Sequence, residues 1–66
     1  MIVKLPSSDD REAFAWAKAN CPSFEKRTIA TPRGEEKPMF ITRYDILCYH
    51  FESEQDAMLF TLRWAK

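Results

Sequence analysis

Residues 44–51, Tyr44-Asp-Ile-Leu-Cys-Tyr-His-Phe51, run into Glu52-Ser-Glu-Gln-Asp-Ala-Met-Leu-Phe-Thr-Leu-Arg-Trp-Ala-Lys66 and read as a strand feeding directly into a helix. From Tyr44 to Phe51 most positions are aromatic, β-branched or thiol-bearing, as a half-buried or buried strand requires. Ser53 opens Ser-Glu-Gln-Asp, close to a capping box. Glu54 and Asp56 fall in the first turn, where the helix dipole favours negative charge. Ala57, Phe60, Thr61 and Trp64 recur at helical spacing, with Met58, Leu59 and Leu62 widening the apolar face. Arg63 and Lys66 place positive charge at the end of the segment that favours it. The rest of the chain has to pack onto this unit.

The upstream chain supplies the packing partners. Ile2, Val3 and Leu5 within Met1–Pro6 predict a short first strand, which Pro6 stops. Ser7–Glu12 offers alternative caps, with Asp9 and Glu12 or Ser7 and Asp10 at capping-box separation, for a helix over about Asp9–Asn20, which its four alanines favour. Ala13, Phe14, Ala17 and Cys21 form its core stripe, Trp16 lies off the centre, and Pro22 ends it. Phe24–Thr31 predicts a second strand whose polar residues suit an edge or a solvent-facing side. Pro32–Pro38, with the single glycine Gly34, is a turn or exposed loop joining antiparallel strands. Extended structure resumes at Met39–Thr42, either continuous with the last strand or bent near Arg43 and Tyr44.

The order β-α-β-β-α predicts the α+β class: a two-layer sandwich with a small, mainly antiparallel sheet and two helices on one face. A right-handed crossover through the first helix is expected if the first two strands are parallel neighbours. Alternation puts Tyr44, Ile46, Cys48 and His50 on one side of the last strand, and Leu47, Tyr49 and Phe51 on the other. Both sides are largely apolar. Either the uncovered side carries an apolar aromatic patch of the kind that marks a protein contact, or a bend or bulge in this strand buries both sides.

Sixty-six residues make one domain, 1–66, with one small core, and 45% hydrophobic and 14% aromatic residues suffice to build it. Ten basic and ten acidic side chains leave zero net charge. That disfavours the coating of nucleic acid and leaves little repulsion between copies. With no signal peptide before Met1 and no apolar run of membrane-spanning length, Cys21 and Cys48 are expected to be reduced thiols in a cytoplasmic protein. Two cysteines and one histidine, without a close cysteine pair, do not make a metal site.

No catalytic constellation is legible, so the expectation is a non-enzyme without a cofactor. Cys48 and His50 share a strand side but lack an orienting group, an oxyanion site and a cleft. Asp9-Asp10 and Glu35-Glu36 read as a helix first turn and a solvated loop. Lys26, Arg27, Arg33, Lys37 and Arg43, with Phe40 and Tyr44 nearby, form either a small anion or nucleotide site or an ordinary solvated hairpin. Met58, Leu62 and Ala65 lie on a helix flank that either faces a partner or belongs to a wide buried stripe. The candidate partner-binding residues are therefore Tyr44, Tyr49, Phe51, Met58 and Leu62.

The ending Phe51–Trp64 resembles short proteins of tailed bacteriophages that close with an aromatic-rich strand, an acidic turn, Asp-Ala, an aromatic and Leu-Arg-Trp. The resemblance covers about the last twenty residues. It implies a non-enzymatic binder that meets a host protein or itself in the host cytoplasm, and it transfers no functional residue. Capture of a small anionic ligand or nucleotide by the central basic residues is the alternative.

Overall fold

The computed structural model describes residues 1–37 and 40–64, and over these the chain runs β1 (Ile2–Pro6), α1 (Asp10–Asn20), β2 (Phe24–Ala30), β3 (Glu36–Lys37), β4 (Ile46–Phe51) and α2 (Glu54–Trp64). The four strands make one antiparallel sheet in the order β1-β4-β2-β3, so the fold is α+β as the element order predicts. β4 lies between β1 and β2, and the condition of parallel neighbours for the first two strands is not met. The expected strand start at Met39, the flank residue Ala65 and the terminal charge of Lys66 lie outside the described residues.

Alternation and register assign the faces. Val3, Leu5, Ile29, Leu47, Tyr49 and Phe51 point to one side and join Ala13, Ala17 and Cys21 of the α1 region with Ala57 and Phe60 of α2 in a single core. Both helices therefore cover this side. Small alanines bring α1 close to the sheet, and Phe60 of α2 fills the centre. Its ring centroid lies 4.7 Å from Tyr49, 5.2 Å from Phe51 and 6.2 Å from Trp16. Trp16 is accordingly half-buried against the core, off the alanine stripe.

Several local expectations are corrected. Helix α1 begins at Asp10 after a 3-10 turn over Ser7–Asp9, and no side-chain cap forms at Asp9. Asp10 is instead buried and bonded across to the sheet. Ser53 does cap α2, its Oγ accepting from the Asp56 N–H at 3.4 Å. The Asp56 carboxylate does not return the bond to Ser53; it accepts the Ser23 N–H at 2.9 Å. Ser23 Oγ in turn accepts the Ser53 N–H at 3.0 Å, so the starts of β2 and α2 are tied together rather than each capped alone. This holds the Asp56 carboxyl below its ordinary value.

The hairpin is tighter than its sequence suggests. The turn occupies Thr31–Glu35, with Gly34 at φ 89°, a backbone that glycine adopts without strain. Glu36 and Lys37, expected in the loop, form the return strand β3. Phe40–Thr42 is not extended strand, and β4 starts at Ile46 rather than Tyr44. The cause is Asp45. Its carboxylate accepts the Thr42 N–H at 2.8 Å and pairs with Lys37 Nζ at 2.5 Å, closing a turn over Thr42–Asp45. The Lys37 hydrogen bond, then that from Thr42, lowers the Asp45 pKa.

The bulge is in β2, not in the last strand. Phe24 pairs with Phe51 and Lys26 with His50, so two steps along β2 match one step along β4. Phe24 thereby turns to the core side while Lys26 and Thr28 stay on the other.

Candidate interaction surface

Tyr49 and Phe51, expected as partner-binding residues, are 0% and 1% exposed. Both helices dock on their side of β4, so these rings build the core and cannot offer a surface. The uncovered side carries Ile2 and Lys4 from β1, Ile46, Cys48 and His50 from β4, and Lys26 and Thr28 from β2. It is a mixed polar face and not an aromatic patch. His50 Nε2 lies 3.0 Å from Thr28 Oγ1, and Cys48 is a buried free thiol. Tyr44 is exposed at the far end of β4, where Arg43 Nη2 donates to its hydroxyl at 2.6 Å.

Beneath the sheet lies a polar network that the sequence reading missed. Arg27 Nη1 donates to Asp10 Oδ2 at 2.6 Å, and the Tyr49 hydroxyl donates to Asp10 Oδ1 at 2.5 Å. Burial, then the bond to the Asp10 carboxylate, pushes the Tyr49 phenol above its ordinary value. Asp10 and Tyr49 are buried and both Asp10 carboxylate oxygens are bonded, which fits a structural role. Cys21 is likewise buried, and burial followed by the nearby Asp56 charge raises its thiol.

The five central basic residues do not converge. Arg27 is spent on Asp10 and Lys37 on Asp45. Arg43 lies over the Tyr44 ring at 4.9 Å, and Arg33 sits exposed in the hairpin turn. Lys26 and Arg27 remain near each other at the bulge, where a depression of about 360 Å³ is also lined by Lys18, Glu25, Phe14 and Phe24. Lys18 was not among the expected basic residues, because nothing in the local pattern brings α1 to this part of β2.

A group of exposed apolar side chains lies on the other edge of the sheet. Met58 and Leu62 of α2 are 59% and 82% exposed, and the neighbouring Met1 and Ile2 are 58% and 57% exposed. With Val3, Ala57 and Thr61 they line a groove of about 310 Å³ between β1 and α2. The helix flank is therefore not part of a wide buried stripe, since Ala57, Phe60 and half-buried Trp64 alone face the core.

This groove runs beside an open strand edge, because β1 is an outer strand of the sheet. The Met1 amine donates to the Phe51 carbonyl at 2.9 Å and the Phe51 N–H to the Met1 carbonyl at 2.8 Å. Antiparallel pairs alternate, so Met1, Val3 and Leu5 bond inward to β4 while the backbone groups of Ile2 and Lys4 point outward. Lys4 and Pro6 were the available sequence signals of an edge strand.

Among the described residues no group of three metal-ligating side chains forms, and no helix is long and apolar enough to cross a membrane. No protein-family model, curated protein or solved structure matches the chain.

Proposed function

We propose that this chain is a small non-enzymatic binding protein that works by protein–protein contact, with the surface between β1 and α2 as its contact face. The observation that carries the reading is the coincidence of Met1, Met58 and Leu62, all more than half exposed on the helix side, with an unpaired strand edge. Single exposed apolar residues are ordinary, but a contiguous group beside open backbone donors and acceptors is a typical recognition surface. The resemblance of the C-terminal segment to small tailed-phage proteins supports the same class, with work in the host cytoplasm as part of the same proposal.

Replacing Met58 and Leu62 together by glutamate tests this. Both side chains are exposed, so stability should change by no more than about 0.5 kcal/mol each. Wild-type protein should enter a stoichiometric complex, with itself or with a host protein, that the double variant loses on size-exclusion chromatography of a lysate. A complex that forms equally with both proteins, or with neither, refutes the reading.

A second reading rests on the depression at the β2 bulge, where Lys18, Lys26 and Arg27 stand around Phe14 and Phe24. Cations beside aromatic faces suit a small anionic ligand such as a nucleotide. Asp10 and Glu25 reduce that positive charge, which ranks this reading second. Nucleoside mono- and triphosphates should then raise the melting temperature of wild-type protein and not that of Lys18→Ala/Lys26→Ala. An unchanged wild-type melting curve removes the idea.

A further inference from the structure

The β1 edge is self-complementary, and we propose that its occupant is a second copy of this chain, paired antiparallel through β1 about a two-fold axis at Val3. This rests on the contact reading above and names its partner. In that register Ile2 of each copy faces Lys4 of the other, and Val3 faces Val3. The outward N–H and C=O groups of Ile2 and Lys4 then find partners on both copies, and the Pro6 nitrogen, which has no hydrogen to donate, falls outside the pairing.

The neighbouring registers are worse for definable reasons. An axis at Lys4 sets two lysines directly opposite each other, which is destabilising, and brings Pro6 into the ladder opposite Ile2. An axis at Ile2 sets Ile2 against Ile2 and offers Lys4 no partner among the described residues. The Val3 axis opposes Lys4 to an apolar side chain and uses every outward donor of the edge before Pro6.

Side chains support the same arrangement. Val3 faces the helix side, so a two-fold axis there brings the two β1–α2 grooves together and lets Met58 and Leu62 of both copies close over the joint. Zero net charge imposes no long-range repulsion between copies. A two-fold contact uses the same edge on both copies, so it closes as a dimer and does not propagate into a fibre.

The test uses light scattering over a concentration series together with site-specific cross-linking. Wild-type protein should run at twice the 7.8 kDa chain mass. Lys4→Pro, which deletes an outward N–H that the monomer does not use, should run at the single mass with an unchanged circular dichroism spectrum; Ile2→Pro does the same if the first variant folds poorly. Oxidised Val3→Cys should give a covalent dimer, because residues opposed in a non-hydrogen-bonded antiparallel pair lie within disulfide reach, whereas Ile2→Cys, opposed to Lys4 of the other copy and to His50 of its own, should not. A wild-type monomer at every concentration overturns the proposal, and so does a dimer indifferent to both proline variants. If that monomer still binds a host protein through Met58 and Leu62, the contact reading stands and only the second copy falls. If the dimer also ignores Met58→Glu/Leu62→Glu, both fall.

Discussion

Phe60→Ala is expected to lower the unfolding free energy by about 3–5 kcal/mol, the usual cost of truncating a fully buried aromatic side chain. Phe60 is 0% exposed and is the main side chain by which α2 reaches the sheet, its ring meeting those of Trp16, Tyr49 and Phe51. The loss has two parts: the transferred apolar surface, and a cavity walled by three rings that cannot collapse without moving both helices. A chain of 66 residues has roughly 3–10 kcal/mol of stability in total. The variant should therefore be largely unfolded near physiological temperature. Urea titration followed by tryptophan fluorescence measures it, and Leu59→Ala, on the same helix but exposed and outside the β1–α2 groove, is the control. A loss below about 1 kcal/mol would mean that α2 does not dock by this face.

Asp10→Ala should cost about 2–3 kcal/mol. Removing one member of a buried ion pair leaves the other charge without its partner, at about 3–5 kcal/mol for full burial. Two facts reduce that figure. The Arg27 side chain is 25% exposed and reaches some water, and the Tyr49 hydroxyl keeps a bond to the Asp10 carbonyl at 3.1 Å. At 4–8 °C per kcal/mol for a small domain, the melting temperature should fall by roughly 10–20 °C. Asp9→Ala, one residue earlier and without a side-chain bond to the first turn of α1, should shift it far less. Adding Arg27→Met to Asp10→Ala should restore part of the loss, since it removes the stranded charge. Equal effects of the Asp9 and Asp10 variants would show that the network does not matter to stability.

These two residues also mark where sequence reading works and where it stops. Phe60 was legible as core, because helical spacing with Ala57 and Trp64 points it to one side whatever that side meets. Asp10 read as an ordinary acid in a helix first turn. Its partners Arg27 and Tyr49 lie 17 and 39 residues away, and no local pattern joins them. The contact surface divides the same way. Met58 and Leu62 could be singled out from one helix wheel, whereas Met1 and Ile2 became part of the groove only because β1 is an outer strand beside α2.

Tyr49 and Phe51 show why a face is harder than an element. Alternation along β4 sorts its residues into two sets, but both sets are apolar, and the pattern is symmetric about which one the helices cover. The bulge at Phe24 adds a second ambiguity. It reverses the side of every residue before it, so that Phe24 shares a face with Arg27 and Ile29 although simple counting puts it with Lys26 and Thr28.

The amino-acid sequence by itself determined the elements and their class: an alanine-rich helix, a proline–glycine turn, a terminal strand and helix, and an α+β order. Those follow from propensities and spacings that act within a few residues. Tertiary structure alone decided the strand order, the covered face, the use of Asp10 and Asp45 as buried anchors, and the exposed β1 edge beside α2. Each of these depends on which distant segments compete for the same partner, and a short apolar strand such as β4 can satisfy several competitors until the whole chain is packed.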